Sequence, residues 1–259
     1  AAKDKYDGKL TTEFVVERVG HSFLEHVREL NLAASRVRDV GDVLTEATFP
    51  SLKELNLDNN MLVDLSGLLH LPLLTILRLN NNRVEHLGMV ADSDHSRPVL
   101  PNLEVLQLGY NHINYIPSLR LHCLPELKSL FLQGNDITKI EGLDRCVQLR
   151  ELILDKNKIK AVSQSSLINL ANLRTLRIEC VARTLNHSSR CPIDLLLLRW
   201  VCAHACCPRS ENGLRSLSNI APLPRLQTLS CVSNRIGELA ETDVRTNPRK
   251  TSASFAPCG

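Results

Sequence analysis

The sequence is poor in aromatic residues and in glycine. Phe, Trp and Tyr make up 3% of its 259 residues, and glycine occurs 11 times. A core built from such a chain must be aliphatic, and a hydrophobic content of 43% allows a large one. This balance argues against a sandwich or a barrel. No apolar run approaches the roughly 20 residues needed to span a bilayer. Residues 1–10 are polar and have no apolar run of a signal peptide. The chain starts at Ala1 rather than Met, so a fragment or a processed chain is expected. The net charge of +3 is too small to argue for nucleic acid or a membrane as partner. No G-x-S-x-G, P-loop or H-E-x-x-H motif occurs. An enzyme is therefore not expected, and no cofactor is implied.

What the sequence does contain is one pattern, many times over. Residues 127–137 read L-K-S-L-F-L-Q-G-N-D-I, placing Leu127, Leu130, Leu132, Asn135 and Ile137 on the template L-x-x-L-x-L-x-x-N-x-L. Leu130 and Leu132 flank Phe131, so the segment reads as a short strand with alternating faces. Asn135 then turns the chain, and its amide can satisfy backbone groups. The pattern restarts at Val27, Leu52, Leu74, Leu103, Leu127, Leu149, Leu173 and Leu226. Its asparagine position holds Ser35, Asn60, Asn82, Asn111, Asn135, Asn157, Asn212 and Asn234. Spacings between starts are 25, 22, 29, 24, 22, 24 and 53 residues. No unit of this size can bury its aliphatics alone, so neighbours must stack. The tails that follow have a period of three, as in Ile137, Ile140, Leu143, Cys146 and Leu149. That period fits a tight 3-10-like return better than an α-helix. The polar residues 91–97 read as a loop bulging from the return of the 29-residue unit.

Repeats near 22 residues with tails such as I-T-K-I-E-G-L at 137–143 resemble the short intracellular class of leucine-rich repeats. The resemblance covers most of the chain. It implies an α/β-type solenoid: a leucine-rich repeat horseshoe of about eight coils. Short parallel strands would line the concave face, with 3-10-like or irregular returns on the convex side. It also implies a non-catalytic scaffold that binds a protein partner on the concave face, in a ciliary or cytoskeletal assembly. The alternative it carries is a regulatory subunit of a Ser/Thr protein phosphatase. Extracellular relatives carry cysteine-clustered caps at both ends. Here five of nine cysteines crowd into residues 180–207 instead, which favours a reducing, cytoplasmic compartment. A monomer is expected.

Three stretches depart from the repeat. Residues 1–26 read as an N-terminal cap or a degenerate repeat, with Thr11-Thr12-Glu13 ahead of Phe14, Val15, Val16 and Val19 as a capped short helix. The repeat domain spans 27–240, and residues 241–259 read as a disordered tail. Between Ile178 and Asn212 the pattern vanishes. Removing 31 residues, 180–210 or 181–211, restores the period of 22. The excursion separates a strand from its asparagine, whereas natural insertions usually enter on the convex return. We expect residues 181–211 to be translated intron or a gene-model error; valine codons begin GT and glutamate can be encoded by GAG. A genuine surface loop is the alternative. Residues 180–210 hold Arg183, Arg190, Arg199 and Arg209 against Asp194, a net +3, so the scaffold without them is near neutral. Its Cys202, His204, Cys206 and Cys207, with His187 and Cys191, lack paired knuckle spacing, so no metal site is expected. Asn186-His187-Ser188 is a glycosylation sequon, inert inside a cell. His70, His112 and His122 have no evident nucleophile or carboxylate partner and read as surface or turn residues.

The informative surface is the concave one. Counting from the first leucine, positions three, five, seven and eight project from the strands. A solvated sheet face should be polar. Yet Val105, Tyr110, Phe131 and Ile153 come from three consecutive coils, which would gather them into one patch. Ile76 precedes them in the third-position column. Arg78 and Arg177 lie on either side, and Glu151 and Asp155 border the patch. An apolar centre with a charged rim is the pattern of a protein-binding surface.

Overall fold

The computed structural model describes residues 8–63, 68, 71–87, 100–163, 165–179, 212–215, 220, 223–231, 234 and 252–254. Among the described residues, nine short strands form one parallel sheet in chain order. They are β1 (Glu29–Asn31), β2 (Glu54–Asn56), β3 (Ile76–Arg78), β4 (Val105–Gln107), β5 (Ser129–Phe131), β6 (Glu151–Ile153), β7 (Thr175–Arg177), β8 (Thr228–Ser230) and β9 (Ser252–Ser254). The register is uniform, with Leu30, Leu55, Leu77, Leu106, Leu130, Leu152, Leu176 and Leu229 opposite one another. Each is buried, and so are the leucines or isoleucines flanking them in the repeat. At roughly 1.5–3 kcal/mol per buried aliphatic side chain, this spine is the main source of stability. It is available only when coils stack, which is why the strands never leave chain order.

The asparagines stitch the stack. Asn135 Nδ2 donates to Leu108 O of the preceding coil at 2.9 Å and to Leu132 O of its own at 3.0 Å. Its Oδ1 accepts the Ile113 N–H at 3.1 Å. Asn60, Asn82, Asn111 and Asn157 repeat this arrangement. One amide thus satisfies buried carbonyls on two coils, which no apolar side chain can do. Ser35 replaces it in the first coil, where no preceding repeat offers carbonyls to bind. Among the described residues, the one before the asparagine position is left-handed: Ala34, Asn59, Asn81, Tyr110, Gly134 and Lys156 all have φ between 53° and 70°.

The N-terminal alternative resolves as a helix. In α1 (Thr12–Val19) the Thr11 hydroxyl accepts the Phe14 N–H, and Gly20 closes the helix in the left-handed region. Val15 is fully buried, and Arg18 Nη2 donates to Ala33 O at 3.3 Å. The helix therefore covers the first coil. Short 3-10 turns at Ile116–Leu119 and Leu121–Cys123 form part of one convex return.

Residues 252–254 are the described part of the stretch 241–259. β9 lies within it and extends the ladder, Thr228 opposite Ser252 and Ser230 opposite Ser254. An open strand edge offers backbone donors and acceptors to any extended segment, with or without leucines. The repeat pattern therefore gave no sign of it. Residues 91–97 and the excursion 180–211, with its sequon and its cysteine and histidine cluster, lie outside the described residues.

Candidate functional site

The concave face is polar over β1 and β2, where positions three and five are Glu29, Asn31, Glu54 and Asn56. Over β4 to β7 it changes character. Phe131 sits beside Ile153 in register, and Gln107 stands on the other side of Phe131. Phe131 and Ile153 form the floor of a concavity of about 380 Å³. Tyr110 and Lys156 wall it on one side, while Gln133, Glu151, Asp155 and Arg177 supply its other polar groups.

Tyr110 reaches the site by leaning across a glycine. A Cβ on Gly134, the next residue in the left-handed column, would lie 2.5 Å from Tyr110 Cδ1. The ring occupies that space, and its hydroxyl accepts Lys156 Nζ at 2.9 Å from two coils away. The same ammonium lies 5.2 Å from the ring centroid. Tyr110 remains 43% exposed. A bulky residue at positive φ carries a conformational cost, which Asn59, Asn81 and Gly134 reduce at this position in other coils, while Lys156 bears it as Tyr110 does. The fold has no need of tyrosine there.

The acidic side is more deeply set. Asp155 is 6% exposed. Its Oδ1 accepts the Glu179 N–H at 2.8 Å, and its Oδ2 meets Arg177 Nη2 at 2.8 Å. Arg177 also lies 3.5 Å from Glu179, which accepts the Ser230 hydroxyl. Burial pushes the Asp155 carboxyl up from its ordinary value, against the opposing pull of the Glu179 N–H and Arg177.

The expected patch is thus brought together in part. Tyr110, Phe131, Glu151, Ile153, Asp155 and Arg177 line one concavity. Ile76, Arg78 and Val105 do not. Ile76 and Val105 stand opposite each other in the third-position column, and Arg78 is 3.6 Å from Glu54. Gln133 and Lys156 join the site although their sequence positions carried no apolar signal. Among the described residues no group of three or more His, Cys, Asp or Glu could hold a metal ion. Cys146 and Cys231 are buried thiols pushed up to about 12 by desolvation, so they belong to the core rather than to reactive chemistry.

A stacked parallel ladder of L-x-x-L-x-L units closed by asparagines is the leucine-rich repeat fold. Residues 101–145 match the family described as Leucine Rich repeats (2 copies). The chain is 34% identical over 221 residues to leucine-rich repeat-containing protein 23 of Bos taurus, covering 76% of this chain and 59% of that protein. It is 31% identical over 164 residues to leucine-rich repeat and WD repeat-containing protein 1 of Xenopus laevis, covering 61% of this chain and 21% of that protein. It is also similar to leucine-rich repeats and immunoglobulin-like domains protein 3 of Homo sapiens, 32% identical over 46% of this chain and 10% of that one. The chain thus spans less than two thirds of the length of each of these relatives, from 59% down to 10%. Among solved structures, an internalin C2 of Listeria monocytogenes superposes with a TM-score of 0.64 at 19% identity, over 95% of this chain and 92% of that one. An internalin of the same organism gives a TM-score of 0.61 at 20% identity, over 96% and 57%. These likenesses show the fold. Leucine-rich repeat proteins are typically non-catalytic and generally mediate protein–protein interaction.

Proposed function

We propose that this chain is a non-catalytic interaction scaffold whose partner binds the concave face over β4 to β7. The observation that carries this reading is the concavity floored by Phe131 and Ile153, an apolar break in a polar sheet face, with charged groups around it. The setting we propose is cytoplasmic, ciliary or cytoskeletal. What supports it is the resemblance of the repeats to the short intracellular leucine-rich class and, within that class, of residues 27–239 to leucine-rich repeat-containing protein 9.

Affinity purification with mass spectrometry tests the reading by comparing the intact chain with a Phe131→Ala, Tyr110→Ala pair. Phe131→Gln serves as a second variant, and thermal melts confirm that each variant folds. A set of partners lost from both variants is expected. Folded variants that retain every partner would refute the concave site. Recovery of a Ser/Thr phosphatase catalytic subunit among the lost partners would select the regulatory-subunit alternative.

A further inference from the structure

The polar groups of the concavity are unevenly paired, and the inference drawn from them rests on the concave reading just given. Both cations that line it are already engaged. Lys156 is held on the Tyr110 hydroxyl, and Arg177 is shared between Asp155 and Glu179. Its acceptors are in surplus. Asp155 and Glu179 divide one guanidinium between them, and Glu151 has no ion pair among the described residues. The Gln133 amide adds a buried Oε1 that accepts no hydrogen bond. A buried acceptor without a donor is costly, and a turn of the amide would present it to a donor entering the concavity. Between these polar groups lie Phe131 and Ile153, which suit an aliphatic stem rather than a second charge.

We propose that the concavity receives one basic side chain, lysine or arginine, from an extended segment of a protein partner. The stem lies over Phe131 and Ile153, and the cationic head meets the unspent acceptors of Glu151 and Gln133. The surroundings limit the segment to a single anchor of this kind. Position two of the repeat forms a basic rim beyond Glu151, where Arg150 and Arg174 are exposed neighbours in the ladder and Lys128 is paired with Glu104 at 2.6 Å. A second base on that side would be repelled, whereas a neutral or acidic neighbour would be accepted.

A displayed library of random peptides, selected on the full chain, reads this preference directly. Peptides that bind the intact chain but not Phe131→Gln should share one Lys or Arg. Replacing that residue by Ala should weaken binding by about tenfold or more, the scale of a charge-assisted contact. Glu151→Gln, with an unchanged melting curve, should weaken the same peptides by about tenfold and spare any peptide that binds elsewhere. Phe131-dependent peptides anchored by acidic or purely apolar residues would overturn this inference and leave the concave site standing. A selection that yields no Phe131-dependent peptide would overturn the concave site itself.

Discussion

Coils six and seven make the same hydrogen bonds from very different stretches of sequence. In coil six the strand and its asparagine are continuous: β6 ends at Ile153, and Asn157 Nδ2 returns to Leu132 O at 2.9 Å and Leu154 O at 3.0 Å. In coil seven the last described residue after β7 is Glu179, and the next is Asn212. Yet Asn212 Nδ2 donates to Leu154 O at 2.9 Å, and its Oδ1 accepts the Ile159 N–H at 2.9 Å. Gly213 N–H then bonds Ile159 O at 2.7 Å, as Lys158 N–H bonds Ile137 O at 2.8 Å one coil earlier. Coil eight stacks on the result, with the Leu214 N–H on Asn234 Oδ1 at 3.1 Å. The ladder depends on which groups stand opposite one another and not on the chain between them.

The asparagines give the largest test of this equivalence. Asn157→Ala removes an amide serving two coils and leaves buried carbonyls unpaired, so a loss of about 3 kcal/mol is expected in chemical denaturation. Asn212→Ala should cost nearly as much. A cost near zero would mean that coil seven is not closed in solution. Deleting residues 181–211 is the complementary change. It should leave the free energy of unfolding unchanged or raise it by up to about 3 kcal/mol of loop-closure entropy. A deletion that unfolds the chain would show that the excursion supports coil seven.

Smaller effects come from the glycines of coils five and seven. Gly134→Ala drives a Cβ to 2.5 Å from the Tyr110 ring at a φ of 70°, so about 1–2 kcal/mol should be lost and the Tyr110 hydroxyl should leave Lys156. Gly213→Ala meets nothing closer than 4.0 Å, so a change within about 0.5 kcal/mol is expected. The smallest effect joins coils six and seven through Asp155. Burial raises its carboxyl pKa, so the folded protein holds that proton to higher pH than the unfolded chain does. Its contribution is most favourable below the unfolded value near 3.8 and declines as pH rises through the raised folded value. Asp155→Asn removes this dependence. The stability of the parent chain relative to the variant should fall by less than about 1 kcal/mol across that window, measured by denaturation at a series of pH values.

Much of the molecule could be read without coordinates. Leu127, Leu130 and Leu132 announce a buried spine because their spacing repeats in every coil, and Asn212 could be assigned to coil seven because only that register restores the period. Phe131 and Ile153 were visible as apolar residues in polar columns. Gln133 and Lys156 were not, since a polar residue in a polar column carries no signal. They matter because Tyr110 leans across Gly134, a contact between positions 24 residues apart and one more coil beyond. Ile76 and Val105 show the reverse error: both are apolar and outward, but they lie in a different column of the ladder from the floor of the site.

The difference is one of range. Within a coil, every buried position is dictated by local periodicity, because a leucine or asparagine at the wrong spacing would have no stack to join. The spine, the asparagine ladder and the concave columns therefore follow from residue order alone. Between coils, the outcome depends on side-chain length and on the space a neighbour leaves. Only the assembled structure could lay β9 on an open edge and bring Tyr110, Lys156 and the Asp155–Arg177 pair around one apolar floor.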